Sequence, residues 1–173
     1  MKKLLLVIDM QNDFVTGTLG SAQAAEILPA LNAKIQRHRQ DGSKVIFTRD
    51  THGSDYLATQ EGRYLPVVHC VQGSWGHSLA EGLDFAGCEV FDKPHFGSLE
   101  LAALVAGGGY DEIELCGVCT DICVVSNALI LKARLPETKI IVDAACCAGV
   151  SEKSHNAALL TMKMCQINVE NYE

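Results

Sequence analysis

The sequence predicts an α/β chain: a doubly wound, mainly parallel six-stranded sheet with helices on both faces. Short apolar or β-branched runs alternate with longer helical patterns, the order that parallel βαβ units produce. Runs such as Leu4-Leu5-Leu6-Val7-Ile8 and Ile140-Ile141-Val142 are continuously apolar. Strands covered on both faces read this way, whereas a half-exposed antiparallel strand would alternate. With 173 residues, 48% of them hydrophobic and 20% charged, the chain is long enough to bury a full core and reads as one domain, residues 1–173.

Strands are expected over residues 4–9, 44–48, 89–91, 112–115, 139–142 and 166–169, and helices over 22–38, 99–106, 121–133 and 152–164. Ser21, Thr120 and Ser151 stand where an N-cap is needed for the first, third and fourth helix, each able to accept a backbone N–H. Gly107-Gly108-Gly109 closes the second helix and turns the chain toward the fourth strand. Residues 49–87 form one long stretch without clear periodicity, rich in Gly and His and holding Trp75, two Tyr and three His. Long loops in small domains are functional or disordered, and this one is too rich in aromatic residues for a disordered linker.

Composition excludes several classes. The formal net charge is -7 and no Lys/Arg run exceeds two residues, so the electrostatic footprint of a nucleic-acid binder is missing. Met1-Lys2-Lys3 and the apolar run behind it imitate the start of a secretory leader, but Asp9 ends the run short of the ~7–15 apolar residues and small-residue cleavage site that a leader needs. No stretch approaches the ~20 apolar residues of a membrane span. The expected setting is therefore soluble and cytoplasmic, with reduced thiols. Most of the eight cysteines then read as small buried hydrophobes. Cys119 and Cys123 lack the second pair or His spacing of a structural zinc site. Homo-oligomerisation is left open.

In an open parallel sheet, ligands bind beyond the carboxyl ends of the strands, near the point where strand order reverses. Asp9 ends the first strand, Asp50 and His52 follow the second, Lys93 follows the third, and Cys123 lies beyond the fourth. Singly, Asp9 reads as a cap, Lys93 as a surface charge and Cys123 as a core residue. Together they place a carboxylate, an ammonium and a thiol at one crevice. With Thr120 as cap, Cys123 falls in the first helical turn, where the dipole and free N–H groups favour a thiolate, lower its pKa and offer an oxyanion site. Cys123 is then the cysteine expected to alkylate first. Cys119, one turn earlier, reads as structural.

Four segments carry a family resemblance. Residues 116–124 resemble the nucleophile turn of the isochorismatase-like cysteine hydrolases, a group that includes the nicotinamidases. Val7-Ile8-Asp9-Met10-Gln11-Asn12-Asp13-Phe14 is similar to that family's first-strand motif, His69-Cys70-Val71-Gln72-Gly73 to the nicotinamidase metal loop, and Lys93 stands where the family keeps its lysine. The resemblance spans residues 4–150 in order. It implies a Rossmann-like fold and an amidohydrolase with Asp9 as base, Cys123 as nucleophile and Lys93 orienting Asp9. It further implies a cis peptide between Val118 and Cys119, and an oxyanion held by the backbone N–H groups of Cys119 and Cys123.

Metal chemistry enters by the same route. Asp50, His52 and His69 are hard or borderline donors suited to zinc, manganese or iron, and the resemblance implies one divalent ion among them. Glu61 is a fourth candidate that an ordinary surface role explains equally well. His77 and His95 read as loop histidines. Nicotinamidases tend to place a Trp where this chain has Leu65, so a ring pocket would use Phe14 with Tyr64 or Trp75 as its other face. The leading expectation is a metal-dependent amidase for a small amide, nicotinamide first. A metal-independent hydrolase of a carbamoyl or ureido compound is the second reading, and a flavodoxin-like binding module the third. No Gly-x-Gly-x-x-Gly or phosphate loop supports that third reading.

Overall fold

In the computed structural model, which describes residues 1–172, six parallel strands lie in the order β3-β2-β1-β4-β5-β6. These are β1 (Lys3–Ile8), β2 (Lys44–Asp50), β3 (Glu89–Lys93), β4 (Glu112–Val118), β5 (Lys139–Ala148) and β6 (Asn168–Glu170). The chain winds outward from β1 to β3, crosses back to β4 beside β1, and winds outward again to β6. Strand order therefore reverses between β1 and β4, and the crevice opens beyond their carboxyl ends.

Continuous apolarity predicts two-sided burial for β1, and Leu4, Leu5, Leu6, Val7 and Ile8 are all fully buried. Helices cover both sides of the sheet. α2 (Ala22–Glu26) and α3 (Leu28–Gln40) pack together, as do α5 (Leu99–Gly107), α6 (Val125–Arg134) and α7 (Glu152–Met164). Two short helices, α1 (Asn12–Val15) and α4 (Gln60–Tyr64), sit near the crevice.

Boundaries differ from expectation in physically readable ways. The first long helix is two, because Pro29 occupies the N-terminal turn of α3 and restarts the helix after Ile27. Ser21 caps α2 by accepting from Ala24 N at 3.1 Å, and Ser151 caps α7 within a reciprocal capping box. The expected strand at 166–169 begins two residues later, because Gln166 takes a φ of 64° and closes α7 instead. β2 and β3 run on to Asp50 and Lys93, so these two residues are strand ends and register neighbours, not loop residues.

A buried ionic group ties α3 to the sheet. Lys34 Nζ bonds to Glu114 and lies 2.8 Å from Asp143 Oδ2, while His38 Nε2 lies 2.9 Å from Glu114 Oε2. Burial would raise both carboxyl pKa values, but hydrogen bonds outweigh it and hold them below the usual range. These come from His38 and Lys34 to Glu114, and from Asn171 and Lys34 to Asp143. Depressed carboxylates contribute stability above their unfolded values of 4.5 and 3.8, and that contribution is lost as pH falls through the lower folded values. Lys34→Met strands two buried carboxylates and should cost about 3 kcal/mol at pH 7. The cost should shrink on acidification below about pH 5, as the stranded groups take up protons. Denaturant unfolding of both proteins at pH 7 and pH 4.5 measures this, and an equal loss at both values would refute the assignment.

Candidate active site and metal centre

At the switch point three side chains meet that the sequence keeps far apart. Asp9 follows β1 with a φ of 48°, a left-handed conformation that Asp tolerates better than most residues. Thr48 on β2 fixes it twice: the Asp9 N–H donates to Thr48 Oγ1 at 3.1 Å, and the Thr48 hydroxyl donates to Asp9 Oδ1 at 2.6 Å. Asp9 Oδ2 then lies 2.6 Å from Lys93 Nζ. Lys93 is fully buried at the end of β3, 3.5 Å from Asp50 Oδ1, and donates to the His95 carbonyl at 3.0 Å and to Cys123 Sγ at 3.6 Å.

Cys123 belongs to a π-helical turn, Thr120–Val124, that follows the cis Val118–Cys119 peptide at the end of β4. Gly117 makes this turn accessible. Its φ is 114°, and a Cβ there would stand 2.1 Å from the Ile8 carbonyl, so only glycine lets β4 press against the end of β1. Thr120 is not the side-chain cap that its position suggests. Cys119 holds the N-cap position without a side-chain bond, and Thr120 Oγ1 meets His155 Nδ1 at 2.8 Å.

Ionisation at the thiol runs opposite to the expectation from a helix terminus. Burial pushes the Cys123 thiol well above the ordinary cysteine range, the Asp9 charge adds to the rise, and Lys93 only partly opposes it. The turn runs directly into α6, and the loss of thiolate solvation on full burial opposes whatever the helix terminus offers. Asp9 is likewise raised, by burial first, with Lys93 pulling the other way. Burial would lower Lys93, but Asp9, Cys123 and Asp50 hold its pKa above normal. These shifts favour a neutral thiol beside the Asp9–Lys93 pair. Cys119 is also raised by burial, to about 12. Cys116-Gly117-Val118-Cys119 has a Cys-x-x-Cys spacing that the metal reasoning passed over; Cys116 is fully buried in β4 and donates to the Leu6 carbonyl, whereas Cys119 faces the crevice.

Beside the thiol, Asp50, His52, Glu61 and His69 present donor atoms that all lie within 4.8 Å of one another. His52 Nε2 is 3.0 Å from Asp50 Oδ2 and 3.6 Å from Glu61 Oε1, and His69 Nε2 is 3.7 Å and 3.9 Å from the same two oxygens. The Val67 carbonyl accepts from His69 Nδ1 at 2.8 Å. This bond puts the proton on Nδ1 and leaves Nε2 free to ligate. Burial would raise Asp50, but its bonds with His52 and His69 hold it far below the carboxylate range. Glu61 is raised, by burial and by Asp50. Two imidazole nitrogens and two carboxylates converging in a buried pocket fit a zinc, manganese or iron ion.

Several positioning residues were not foreseen. Gln11 Oε1 accepts from the Asp50 N–H at 2.7 Å, and its Nε2 donates to the Asp50 and His77 carbonyls. Asp13 Oδ2 accepts from the Cys70 N–H at 2.7 Å and fixes the loop carrying His69. A Cβ at Gly76 would fall 2.0 Å from that carboxylate. Tyr56, almost fully buried, packs its ring 4.6 Å from His52 and 4.9 Å from His69, and donates to the Leu65 carbonyl at 2.9 Å. The polar bonds of Gln11 and Asp13 were hidden in a motif read only by resemblance.

A cavity of about 910 Å³ reaches from Cys123 and the donor cluster to the surface. Phe14, Tyr64 and Leu65 line it, as do Val118 and Cys119. Phe14 stands edge-on to His69 with ring centres 5.6 Å apart. Trp75 does not line it. It is half-exposed, and its carbonyl accepts from Asn12 Nδ2 in the bonds that tie the long loop to α1. Phe96, which sequence reasoning did not single out, occupies the cavity wall instead.

A family model for the isochorismatase domain matches residues 3–171. The nicotinamidase/pyrazinamidase of Mycobacterium tuberculosis is 28% identical over 188 residues, covering 96% of this chain and 97% of its own. The Bacillus subtilis nicotinamidase/pyrazinamidase structure superposes with a TM-score of 0.88 at 25% identity, over 99% of this chain and 100% of that one. The Pyrococcus horikoshii pyrazinamidase, solved in complex with zinc, gives a TM-score of 0.86 at 26% identity, again over 99% and 100%.

The neutral resting thiol has a direct readout. With iodoacetamide at pH 7, exposed Cys165 should be modified before Cys123, and Cys123 labelling should climb as pH rises, without levelling off by about pH 9. Mass mapping of peptides over a pH series decides it. Selective labelling of Cys123 at pH 7 would restore the activated thiolate.

Proposed function

Because the chain belongs to the isochorismatase family, we propose that it is a cysteine amidohydrolase of the nicotinamidase type, converting a small amide, nicotinamide first, to its acid and ammonia. One observation carries the reading: Lys93 Nζ stands 2.6 Å from Asp9 and 3.6 Å from Cys123 Sγ, in a buried crevice at the sheet's switch point. A carboxylate beside a thiol can take and return its proton while the ammonium balances the charge, which acyl transfer requires twice.

Asp9 takes the thiol proton as Cys123 Sγ attacks the amide carbon. Because the thiol is neutral at rest, the proton leaves as the S–C bond forms, and no isolated thiolate has to be buried beside Asp9. The backbone N–H groups of Cys119 and Cys123 receive the charge that develops on the carbonyl oxygen. Asp9 returns its proton to the leaving nitrogen, the C–N bond breaks, and ammonia departs. Asp9 then accepts a proton from a water that attacks the thioester carbon; the C–S bond breaks, Asp9 passes that proton to the departing sulfur, and the acid leaves with Cys123 again a thiol and Asp9 again a carboxylate. Lys93 stays protonated throughout and balances Asp9.

Asp50, His52 and His69, with Glu61 as a fourth donor, would hold a divalent ion whose Lewis acidity fixes a ring nitrogen or a water beside the thiol. Similarity to nicotinamidase/pyrazinamidase relatives supports the substrate class, and the converging donor set favours this reading over the metal-independent one.

Ammonia release from nicotinamide tests the proposal. Cys123→Ala should lose at least ~10³-fold in kcat with unchanged thermal stability, while Cys119→Ala, which keeps its backbone N–H, should retain most activity. A dead Cys119→Ala and an active Cys123→Ala would move the nucleophile. His52→Ala should lose bound metal by elemental analysis and raise KM for nicotinamide by about tenfold or more. Metal-free wild type turning over nicotinamide at full rate would transfer the reading to the metal-independent branch.

A further inference from the structure

The cavity is much larger than a single-ring amide requires. About 910 Å³ lies at the upper end of the ~300–1,000 Å³ typical of sites that enclose drug-sized ligands. Its charge is also unevenly placed. The ionisable groups Asp50, His52, Glu61 and His69 gather with Cys123 at the inner end, the cavity floor, while the outer wall, which also carries exposed His95 and Gln60, is crowded with exposed apolar side chains: Tyr64 at 85%, Val150 at 69%, Phe96 at 43% and Leu65 at 38%. Large apolar side chains gathered around the mouth of a cavity mark a surface that something apolar covers.

No lysine or arginine lines this cavity among the described residues. Lys93 lies behind it, fully buried and already committed to Asp9, Asp50 and the His95 carbonyl. Among the described residues three helix N-termini border the space: those at Ser21 and Thr59 are closed by their own side chains, which accept from Ala24 N and Gly62 N respectively, and the one at Cys119, at the inner end, receives the amide's carbonyl oxygen in the reading above. A carboxylate carried to the outer wall would lose water against Tyr64, Leu65, Phe96 and Val150 and find no lysine or arginine there.

Resting on the amidohydrolase reading above, we infer that this site takes neutral amides carrying an apolar substituent that reaches the rim of Tyr64, Leu65, Phe96 and Val150, and rejects amides whose substituent ends in a carboxylate. The floor supplies attack and orientation at the amide. The rim supplies burial for the remainder, and binding energy gained there from a group remote from the reaction raises kcat/KM.

The probes are nicotinamide and its derivatives bearing a 3-methylbutyl or a 2-carboxyethyl group at ring position 4 or 5, pairs of nearly equal shape that differ in charge. For at least one position the alkyl amide should exceed nicotinamide in kcat/KM by about tenfold, and both carboxylate amides should fall about tenfold or more below it. Phe96→Ala should erase most of the alkyl gain. Leu65→Lys, which puts a cation on an exposed rim position, should raise kcat/KM for a carboxylate amide by about tenfold. Carboxylate amides turned over as well as their alkyl partners, or neither alkyl amide reaching nicotinamide, would overturn the inference while leaving amidase activity standing. If wild type hydrolyses none of the five, the amidase reading fails on its own. Calorimetric binding of the same five compounds to Cys123→Ala then decides the rim: tighter binding of an alkyl amide than of its carboxylate partner upholds it, and equal or weaker binding overturns it.

Discussion

A lysine ammonium with no exposure to water, set between two buried carboxylates, is the interaction on which the rest of the site depends. Removing such a charge from water costs several kcal/mol, and only close opposite charges and hydrogen bonds offset that cost. Lys93 has them in Asp9 at 2.6 Å, Asp50 at 3.5 Å and the His95 carbonyl. The arrangement follows from sheet register: parallel pairing places Lys93 of β3 beside Asp50 of β2, and the next strand inward, β1, delivers Asp9. One ammonium therefore touches both halves of the crevice. On one side it bears on the thiol; on the other it neutralises part of a carboxylate that also faces two imidazoles. A change in charge at the donor cluster must be felt at Asp9, because the same cation answers to both.

The loop from the end of β2 to β3 illustrates how the short motif after β1 organises distant chain. Asn12 N donates to the Ser78 carbonyl, Asp13 N to the Gly76 carbonyl and Ala80 N to the Met10 carbonyl, while the Asp13 side chain holds Cys70. Residues without regular structure are thereby given a hydrogen-bonded frame on a rigid strand end. His69 inherits its position from this frame. The cluster is thus preorganised by backbone bonds, and His52, which bridges to Val71, joins the same frame from the β2 side.

Much of the architecture was legible because its cause is local. Two-sided apolar runs report central strands, and a carboxylate ending such a run reports a strand end at the crevice. Alternation of strands and helices reports the parallel doubly wound class, whereas the strand order itself is seen only in the folded sheet. What was not legible depends on contacts across the fold. Pro29 splits a helix whose periodicity reads as continuous. Thr120 stands in a capping position, yet its hydroxyl meets His155 on α7, a partner 35 residues away. Tyr56 and Trp75 are both aromatic residues of one long loop, and only the folded loop reveals that Tyr56 packs on the histidines while Trp75 stands half-exposed. The ionisation of Cys123 was misread for the same reason: position in a helix is visible in sequence, whereas full burial beside a carboxylate is not.

Burial and charge together divide the cavity. At its floor, low dielectric strengthens every interaction among Asp9, Asp50, Lys93 and the thiol, so small displacements there carry large energies and the groups must be fixed by Thr48, Gln11 and the strand register. At its mouth, Tyr64, Leu65, Phe96 and Val150 exert no strong field and have few polar bonds to satisfy. A site built this way can vary the residues at its rim without disturbing proton movement at its base. The constraint runs the other way for the floor, where losing one partner strands another buried charge. The proton-moving groups are therefore anchored at or just beyond the strand ends, whose register cannot slip without turning every side chain over, and the choice of what enters is left to rim residues farther from the sheet.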